Sequence, residues 1–263
     1  MRVAVCQIPV SSDPAVNLDR ITDALAQAAD QRAELAVFPE GAHVRFGSDL
    51  RGAADEPYGE KIGVAARKLS LAVVAGIFEP AGDGRVHNTT VAYDASGQRV
   101  AAYRKIHVFD SFGQRESDLV APGSEPVVAE LAGVRVGFMT CYDVRFPELA
   151  RALVDRGAEL IVIPSAWGSG LFKEEHWVTL VRARAIENTI WVAAAGQVPD
   201  PAERPTRAPT GVGRSMIVDP MGTVRLDLGS FPAVGVSDID FSFTVQVRDQ
   251  LPCLDHRRPD IFG

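Results

Sequence analysis

The sequence predicts an α/β fold in which two β-sheets pack against each other between outer layers of helices, an α-β-β-α four-layer sandwich. The first observation behind this prediction is the order of elements, because each half of the chain reads β-α-β-α-β-β-β. The second is a constant spacing. Val37-Phe-Pro-Glu40 resembles Val162-Ile-Pro-Ser165, and residues 91–97 resemble residues 216–222, each pair 125 residues apart. This spacing suggests an internal pseudo-duplication, and two units with helices on one side of a sheet would pack sheet against sheet.

The first half begins with a buried strand over residues 2–8. Asp13 can cap the next helix and Pro14 suits its first turn, so a helix is predicted from there to about Arg32. Apolar runs and helical spacing predict the remaining elements of this half: a strand at Leu35–Phe38, a helix at 58–69, a strand at Leu71–Phe78, and a hairpin of 87–93 with 98–104 across Asp94-Ala-Ser-Gly97.

The second half repeats this order. Its predicted elements are a strand at Val134–Thr140, a helix at Pro147–Asp155, a strand at Leu160–Ile163, a helix at 173–188, a strand at Ile190–Ala195, and a hairpin of Met216–Val218 with Thr223–Leu228. No Pro-, Ser- or Gly-rich linker divides the chain, so we expect one domain over residues 1–263. Residues 247–263 lack periodicity and are predicted to be a C-terminal tail, with apolar Ile261 and Phe262 docking on a partner subunit.

Composition limits the possible partners. The chain has 263 residues, 46% of them hydrophobic, which is ample for one large core. A net charge of −7 argues against nucleic acid or an anionic membrane as the main partner. No apolar run approaches the ~18 residues that span a bilayer, and the N-terminal residues do not resemble a signal peptide. Three cysteines without a CxxC pair suit reduced thiols in the cytoplasm rather than a disulfide framework or a zinc site.

Three chemically useful side chains each follow an apolar strand: Glu40, Lys105 and Cys141. The ends of parallel strands are where α/β folds place their active sites. Glu40 could take the proton of the Cys141 thiol, and Lys105 with the backbone N–H of Tyr142 could stabilise an oxyanion. This chemistry requires neither a metal nor an organic cofactor. Taken singly, each residue also has an ordinary structural explanation: a core cysteine, a loop carboxylate and a strand-end lysine.

Longer motifs around these residues resemble the carbon–nitrogen hydrolase (nitrilase) superfamily, and the branch of deaminated glutathione amidase and omega-amidases most closely. The motifs are Phe38-Pro-Glu40, Tyr103-Arg-Lys105-Ile-His-Val-Phe-Asp110 and Cys141-Tyr-Asp-Val-Arg145-Phe-Pro-Glu148. The resemblance covers nearly the whole chain. It implies a Glu-Lys-Cys triad, an α-β-β-α sandwich with a pseudo-two-fold, and a homodimer or higher homo-oligomer whose dimer extends the layers to eight.

The resemblance also suggests roles for further residues. Glu116 matches a second glutamate that positions substrate and can share proton transfers, or it is an exposed loop carboxylate. Arg145 matches an arginine that faces the substrate carboxylate, or it pairs with Asp143 or Glu148. Trp167 is expected either to form a wall of the pocket or to pack. Loops 41–57, 109–118 and 165–175 are expected to shape that pocket.

We therefore expect a cysteine-dependent amidase that releases ammonia from a small carboxylate-bearing amide through a thioester. Within the same family, a nitrilase or an N-carbamoyl amino acid amidohydrolase is the alternative. Two hypotheses from other classes remain. In one, His107 or His176 forms a Cys-His dyad with Cys141. In the other, the chain is a non-catalytic binding scaffold.

Overall fold

A computed structural model describes residues 1–203 and 208–262 of the chain. It shows a fold that is built from two β-sheets. In chain order the described strands are β1 (Arg2–Gln7), β2 (Leu35–Val37), β3 (Ala72–Pro80), β4 (Val86–Tyr93), β5 (Arg99–Arg104), β6 (Val128–Leu131), β7 (Val134–Phe138), β8 (Leu160–Ser165), β9 (Trp191–Gly196), β10 (Met216–Val218), β11 (Val224–Asp227) and β12 (Ala233–Asp238).

The described α-helices are α1 (Pro14–Asp30), α2 (Leu50–Ala54), α3 (Tyr58–Leu69), α4 (Pro147–Asp155), α5 (Lys173–Asn188), α6 (Phe241–Gln250) and α7 (Pro259–Phe262). Two helices begin as their sequences predict. The Asp13 side chain accepts a hydrogen bond from the Ala15 N–H at the start of α1, and Pro147 occupies the first turn of α4. Short 3₁₀-helices at Glu116–Asp118 and Cys141–Arg145 lie in the connections.

The two sheets have equivalent topologies, which confirms the predicted repeat. The strand order is β12-β1-β2-β3-β4-β5 in the first sheet and β11-β10-β9-β8-β7-β6 in the second. In each sheet, three parallel strands (β1, β2, β3 and β7, β8, β9) are followed by an antiparallel hairpin (β4, β5 and β10, β11). Gly97 and Gly222 end the corresponding hairpin turns with φ of 80° and 76°, a conformation that glycine adopts without strain.

The alternation of side chains along β1 shows how the layers stack. Val3 and Val5 contribute to the core shared with the second sheet, whereas Ala4 and Cys6 pack in a separate cluster with helices α1 and α3. Because successive strand residues point to opposite faces, the first sheet has a sheet on one side and helices on the other. Helices α4 and α5 cover the outer face of the second sheet. The predicted α-β-β-α sandwich is therefore confirmed.

Five described elements were not predicted: β6, β12, α2, α6 and α7. Strand β12 has only two alternating apolar residues, Val234 and Val236, and it pairs with β1 at the opposite end of the chain. Helix α6 is capped by Asp240 and buries Thr244 and Val247. Residues 247–250 therefore belong to this helix, so the predicted tail begins a few residues too early. Residue 263 of that tail lies outside the described residues.

Candidate active site

The ends of three strands bring the predicted triad to one place between the sheets. Glu40 follows β2, Lys105 follows β5 directly, and Cys141 follows β7 and opens a 3₁₀-helix. Glu40 is 1% exposed and Lys105 is 2% exposed. The strand positions were predicted from apolar runs, whereas the meeting of the two sheets is what joins residues from both halves.

Glu40 is held by partners from both sheets. Its Oε1 accepts hydrogen bonds from Lys105 Nζ (2.9 Å) and Asn88 Nδ2 (2.7 Å), and its Oε2 accepts one from the Ala166 N–H (2.8 Å). Gln197 Nε2 donates to the Glu40 carbonyl oxygen at 2.6 Å. The carboxylate is thus fixed at its side chain and at its backbone.

The turn that carries Glu40 lies directly on β3. A Cβ atom added at Gly76 would lie 2.5 Å from Glu40 Cα and 2.6 Å from the Gly41 nitrogen. Real Cβ atoms do not approach other atoms so closely. Glycine at position 76 therefore allows the Glu40 turn to approach the strand.

Glu116 joins the same cluster through Lys105. Lys105 Nζ lies 3.1 Å from Glu116 Oε1 and 2.8 Å from Oε2, and Asn88 Nδ2 donates to Oε1 at 3.2 Å. The Phe109 N–H donates to Oε2 at 2.6 Å, and the Glu116 side chain is only 8% exposed. Glu116 is therefore a buried member of the cluster rather than an exposed loop carboxylate.

Lys105 is a buried ammonium between two carboxylates. Burial alone would lower its pKa, but Glu116 and Glu40 outweigh this and raise the pKa well above its ordinary value. Lysine in this position stays charged across the physiological pH range. A charged Nζ has three N–H donors and serves as a fixed electrostatic group rather than as a base.

Cys141 has an uncommon backbone conformation. Its φ is 46°, in the left-handed region, where a residue other than glycine is strained by about 1–3 kcal/mol. Asp143 Oδ2 accepts hydrogen bonds from the Thr140 N–H (2.8 Å) and from the Tyr103 hydroxyl (2.6 Å), so a buried carboxylate holds the turn. This support maintains the strained turn that presents the sulfur.

The Cys141 thiol is neutral at rest. Burial raises its pKa most, the nearby Glu40 carboxylate raises it further, and Lys105 and the Ser165 hydroxyl lower it less. A cysteine becomes a nucleophile through a lowered thiol pKa or through an adjacent base. The raised pKa and the Glu40 carboxylate beside the thiol fit the second route.

Tyr142 places its backbone N–H in the first turn of the 3₁₀-helix that Cys141 opens. N–H groups in a first helical turn lack partners within the helix and are available to an anion. The Tyr142 ring packs edge-on against Phe109 (5.0 Å between centroids) and Phe146 (5.3 Å). Aromatic residues therefore surround the side of the site where the predicted oxyanion donor lies.

Arg145 forms neither of the structural ion pairs considered from the sequence. Among the described residues neither Asp143 nor Glu148 is its partner. Its guanidinium lies 4.9 Å from the centroid of the Trp167 ring, and Nη2 lies 3.4 Å from His176 Nδ1. Trp167 is 3% exposed and donates its indole N–H to the Lys173 carbonyl oxygen (2.7 Å). Trp167 thus packs in the interior and also contacts Arg145.

The histidines lie in other surroundings. His107 Nδ1 lies 2.7 Å from Asp143 Oδ1, and its ring stacks on Phe146 at 3.6 Å. His176 is exposed and contacts Arg145. The groups that influence the Cys141 thiol are Glu40, Lys105 and Ser165. This arrangement gives no support to a Cys-His dyad.

Four residues of the site were not predicted: Asn88, Ser165, Lys173 and Gln197. Asn88 could have been recognised from the sequence, because a polar amide inside the β-branched run of β4 requires a buried partner. Ser165 could also have been recognised, since it is the counterpart of Glu40 at the 125-residue spacing. No sequence pattern indicates Lys173 or Gln197, because their contacts depend on how the connections fold.

Two of the three predicted pocket loops lie together at the site. Lys173, from the 165–175 connection, places Nζ 5.2 Å from the centroid of Phe109 and 5.1 Å from that of Phe112, both in the 109–118 connection. The 41–57 connection instead contains α2, and its Phe46 packs edge-on against Phe78 in a separate apolar cluster.

None of the helices in 1–203 and 208–262 is long and apolar enough to cross a membrane. Within the same residues, no group of three or more His, Cys, Asp or Glu side chains is arranged to hold a metal ion.

Comparison with known proteins identifies the family. The model of the carbon-nitrogen hydrolase family matches residues 2–249. The chain belongs to the carbon-nitrogen hydrolase family. This carbon-nitrogen hydrolase is 44% identical to a protein from Mycobacterium tuberculosis that is named as a hydrolase, and the match covers 97% of this chain and 94% of that protein. It is 37% identical to the deaminated glutathione amidase of Escherichia coli O157:H7, over 98% of this chain and 97% of that one.

Solved structures of nitrilase-superfamily proteins share the fold of this carbon-nitrogen hydrolase. The NitFhit protein of C. elegans superimposes with a TM-score of 0.90 at 33% identity, and the match covers all of this chain and 66% of that one. The NitN amidase of Nesterenkonia sp. AN1 superimposes with a TM-score of 0.84 at 29% identity, covering 100% of this chain and 98% of that one. The chain therefore has the fold of its family as well as its sequence pattern.

Proposed function

We propose that this carbon-nitrogen hydrolase is a cysteine-dependent linear amidase that releases ammonia and a carboxylate from a small carboxylate-bearing amide. The observation that carries the proposal is the buried Glu40–Lys105–Glu116 cluster beside a neutral Cys141 thiol. Such a cluster combines a base, a fixed cation and a nucleophile in one place.

In the first half-reaction, Glu40 takes the proton from Cys141 as the sulfur attacks the amide carbonyl carbon. Lys105 Nζ and the Tyr142 N–H then stabilise the oxyanion, for which Lys105 turns one of its three donors away from Glu116, whose two oxygens it contacts at rest. Protonated Glu40 delivers its proton to the amide nitrogen, the C–N bond breaks, and ammonia leaves. The acyl group remains as a thioester on the sulfur.

In the second half-reaction, Glu40 takes a proton from water and the resulting hydroxide attacks the thioester carbonyl. The C–S bond breaks, the carboxylate product leaves, and the thiol recovers its proton. Glu116 positions the substrate and Lys105, since it contacts both Nζ and the Phe109 N–H. Arg145 binds the substrate carboxylate, for which its planar guanidinium is suited.

The relatives support an amide substrate. An amidase from Nesterenkonia sp. AN1 was crystallised as a glutamate-to-glutamine and cysteine-to-alanine double mutant in complex with acrylamide. In its glutamate-to-glutamine single mutant, acrylamide is added to the active-site cysteine by Michael addition. Other relatives are named deaminated glutathione amidase. We therefore favour an alpha-keto-acid omega-amide, whose primary amide gives ammonia, or deaminated glutathione, in which cysteinylglycine takes the proton from Glu40 and leaves in place of ammonia.

The experiment measures ammonia release from carboxylate-bearing primary amides, neutral amides, nitriles and N-carbamoyl amino acids, and release of the free amine cysteinylglycine from deaminated glutathione, with Cys141→Ala as the blank. Turnover confined to carboxylate-bearing amides and absent from the blank is expected. Turnover confined to nitriles or N-carbamoyl compounds would replace the amidase with another activity of the family. Ammonia release that persists in the Cys141→Ala blank would overturn the mechanism, and silence across the panel would favour a scaffold.

We also propose that the protein works as a homodimer in the cytoplasm. Its C-terminal segment exposes apolar side chains, with Leu251 47% and Ile261 58% exposed, which suits the predicted subunit contact. The three cysteines are free, which suits a reducing compartment. Light scattering on the full chain and on a chain ending at Gln250 tests the dimer, since loss of the segment should give a monomer. A full-length chain that is monomeric would contradict this proposal.

A further inference from the structure

A second cation, Lys173, lies at the site beside Arg145. Its Nζ is 4.5 Å from the centroid of the Trp167 ring, and the Arg145 guanidinium is 4.9 Å from the same centroid. One indole therefore contacts both cations. Cation–π contacts of this kind hold charged groups in position without neutralising them.

Lys173 is held in place by its backbone and by aromatic rings. Its carbonyl oxygen accepts the Trp167 indole N–H at 2.7 Å, and its own N–H donates to the Gly170 carbonyl oxygen at 3.1 Å. The ring centroids of Phe109 and Phe112 lie 5.2 Å and 5.1 Å from the ammonium nitrogen. The residue is only 8% exposed, which is low for lysine.

Neither cation has an anionic partner in the described part of the chain. The neighbouring Glu174 carboxylate pairs with Arg214 at 2.6 Å instead. Burial and then the Arg145 guanidinium lower the pKa of Lys173, whereas the Cys141 thiol opposes this. Lys173 is therefore within electrostatic reach of both Arg145 and the nucleophile. Two unneutralised cations close together are unfavourable unless a ligand supplies negative charge.

We propose that Lys173 is a specificity-determining residue which, together with Arg145, selects substrates that carry two negatively charged groups. Arg145 binds one carboxylate and Lys173 binds the second. The inference rests on the proposed function for its reaction, and it narrows the substrate class from carboxylate-bearing amides to dianionic amides.

A binding experiment tests this without turnover. The probes are 2-oxoglutarate, a dianion, and 2-oxopentanoate, which has the same chain length and a single carboxylate. Calorimetry measures both with the wild-type chain, Lys173→Met, Lys173→Arg and Lys68→Met. Methionine keeps the apolar stem of lysine without its charge, arginine restores the charge, and Lys68 is an exposed lysine on α3 that controls for net charge.

The wild-type chain and Lys68→Met should bind the dianion at least about tenfold more tightly than the monoanion, as one charge-assisted hydrogen bond would provide. Lys173→Met should remove most of this preference and leave the monoanion unaffected, whereas Lys173→Arg should retain it. Equal binding of both probes by the wild type, failure of both to bind, or equal weakening of both in Lys173→Met would overturn the proposal. Lys173→Gln replaces Lys173→Met if the latter does not fold.

A turnover experiment separates this inference from the proposed function. It compares deaminated glutathione, which has two carboxylates, with its analogue in which the terminal glycine is replaced by methylamine. If the wild type hydrolyses neither compound, the proposed substrate fails and calorimetry still decides the role of Lys173. If it hydrolyses both, Lys173→Met should lower kcat/KM at least about tenfold for the dianion alone, mainly through KM. An equal effect on both compounds would overturn the inference and leave the amidase intact.

Discussion

The backbone N–H of Ala166 donates a hydrogen bond to Glu40 Oε2 at 2.8 Å, and so joins the end of the second sheet to the carboxylate at the end of the first. Ala166 follows β8 directly, as Glu40 lies just beyond β2. These two strands are equivalent in the internal repeat. The base of the proposed reaction is thus positioned by residues of both halves rather than by its own loop alone.

Glu40→Gln is expected to lower kcat about 10²–10⁴-fold, because an amide cannot accept the thiol proton. The side chain keeps its shape, and one amide oxygen can still accept from its neighbours. Steady-state ammonia release measures the loss, and circular dichroism checks the fold. Glu148→Gln, an exposed glutamate on α4, is the matched control and should keep its activity. Normal turnover in Glu40→Gln would rule out Glu40 as the base.

The same variant, Glu40→Gln, should also lower the pKa of the Cys141 thiol. The Glu40 carboxylate raises the pKa of the Cys141 thiol, so its removal should lower that pKa. Thiolate should therefore form at lower pH in Glu40→Gln than in the wild type. The ultraviolet absorbance of the thiolate measures this, with Cys141→Ala subtracted to remove Cys6 and Cys253. A titration that moves to higher pH would show that Glu40 does not act on the thiol as described.

Gly76→Ala should disturb the site without touching a reactive group. The added Cβ would meet Glu40 Cα at 2.5 Å, so the turn must shift. We expect a stability loss of about 1–3 kcal/mol, as for overpacking, together with a clear loss of kcat. Gly133→Ala is the control: its φ is 80° but nothing lies near its Cβ, so it should lower stability and leave kcat unchanged. Urea unfolding and kinetics together decide, and an unchanged kcat in Gly76→Ala would contradict the argument.

His43 should make the protein sensitive to acid. Burial lowers its pKa from 6.5 to about 4, and its ring lies between Tyr58 and Phe78 at centroid distances of 5.0 Å and 5.6 Å. Between these two pH values the unfolded chain binds more protons than the folded one. The free energy of unfolding should therefore fall as the pH drops from 6.5 towards 4, by about 3 kcal/mol in total.

His43→Phe should flatten this pH dependence, since phenylalanine fills the same aromatic site and does not titrate. Urea unfolding at several pH values measures the slope. His256→Phe, at an exposed histidine, should keep the wild-type slope. If the slope of His43→Phe equals that of the wild type, another group controls the acid sensitivity.

The positions of the strand ends were predictable because they depend on local pattern. Apolar runs ending at a polar residue located Glu40, Lys105 and Cys141, and the helices with Pro14 and Pro147 in their first turns began where predicted. The 125-residue spacing even paired Glu40 with Ser165, which the structure places beside the same thiol. Local rules succeed here because each element is specified by residues close together in sequence.

The contacts around these residues were not predictable. Lys173 reaches Trp167 only because the connection before α5 turns back over the indole, and Gln197 reaches the Glu40 carbonyl from a different sheet. The apolar alternation of strand β12 is limited to Val234 and Val236, and its partner β1 lies at the other end of the chain. The Gln197 contact and the β12 pairing join residues more than a hundred positions apart, whereas the Lys173 contact depends on the path of a short connection. Single-sequence periodicity reports neither kind of contact.

The pairing of β12 with β1 has a consequence for the order of assembly during synthesis. In the second sheet, β6 covers the outer edge of β7. Only a few residues separate these two strands, so this edge is paired early. The edge of β1 must wait until residue 238 has left the ribosome. Until then the nascent chain presents an unpaired strand edge, the kind of surface on which chains aggregate. The first sheet therefore keeps an unpaired edge for longer during synthesis than the second sheet does.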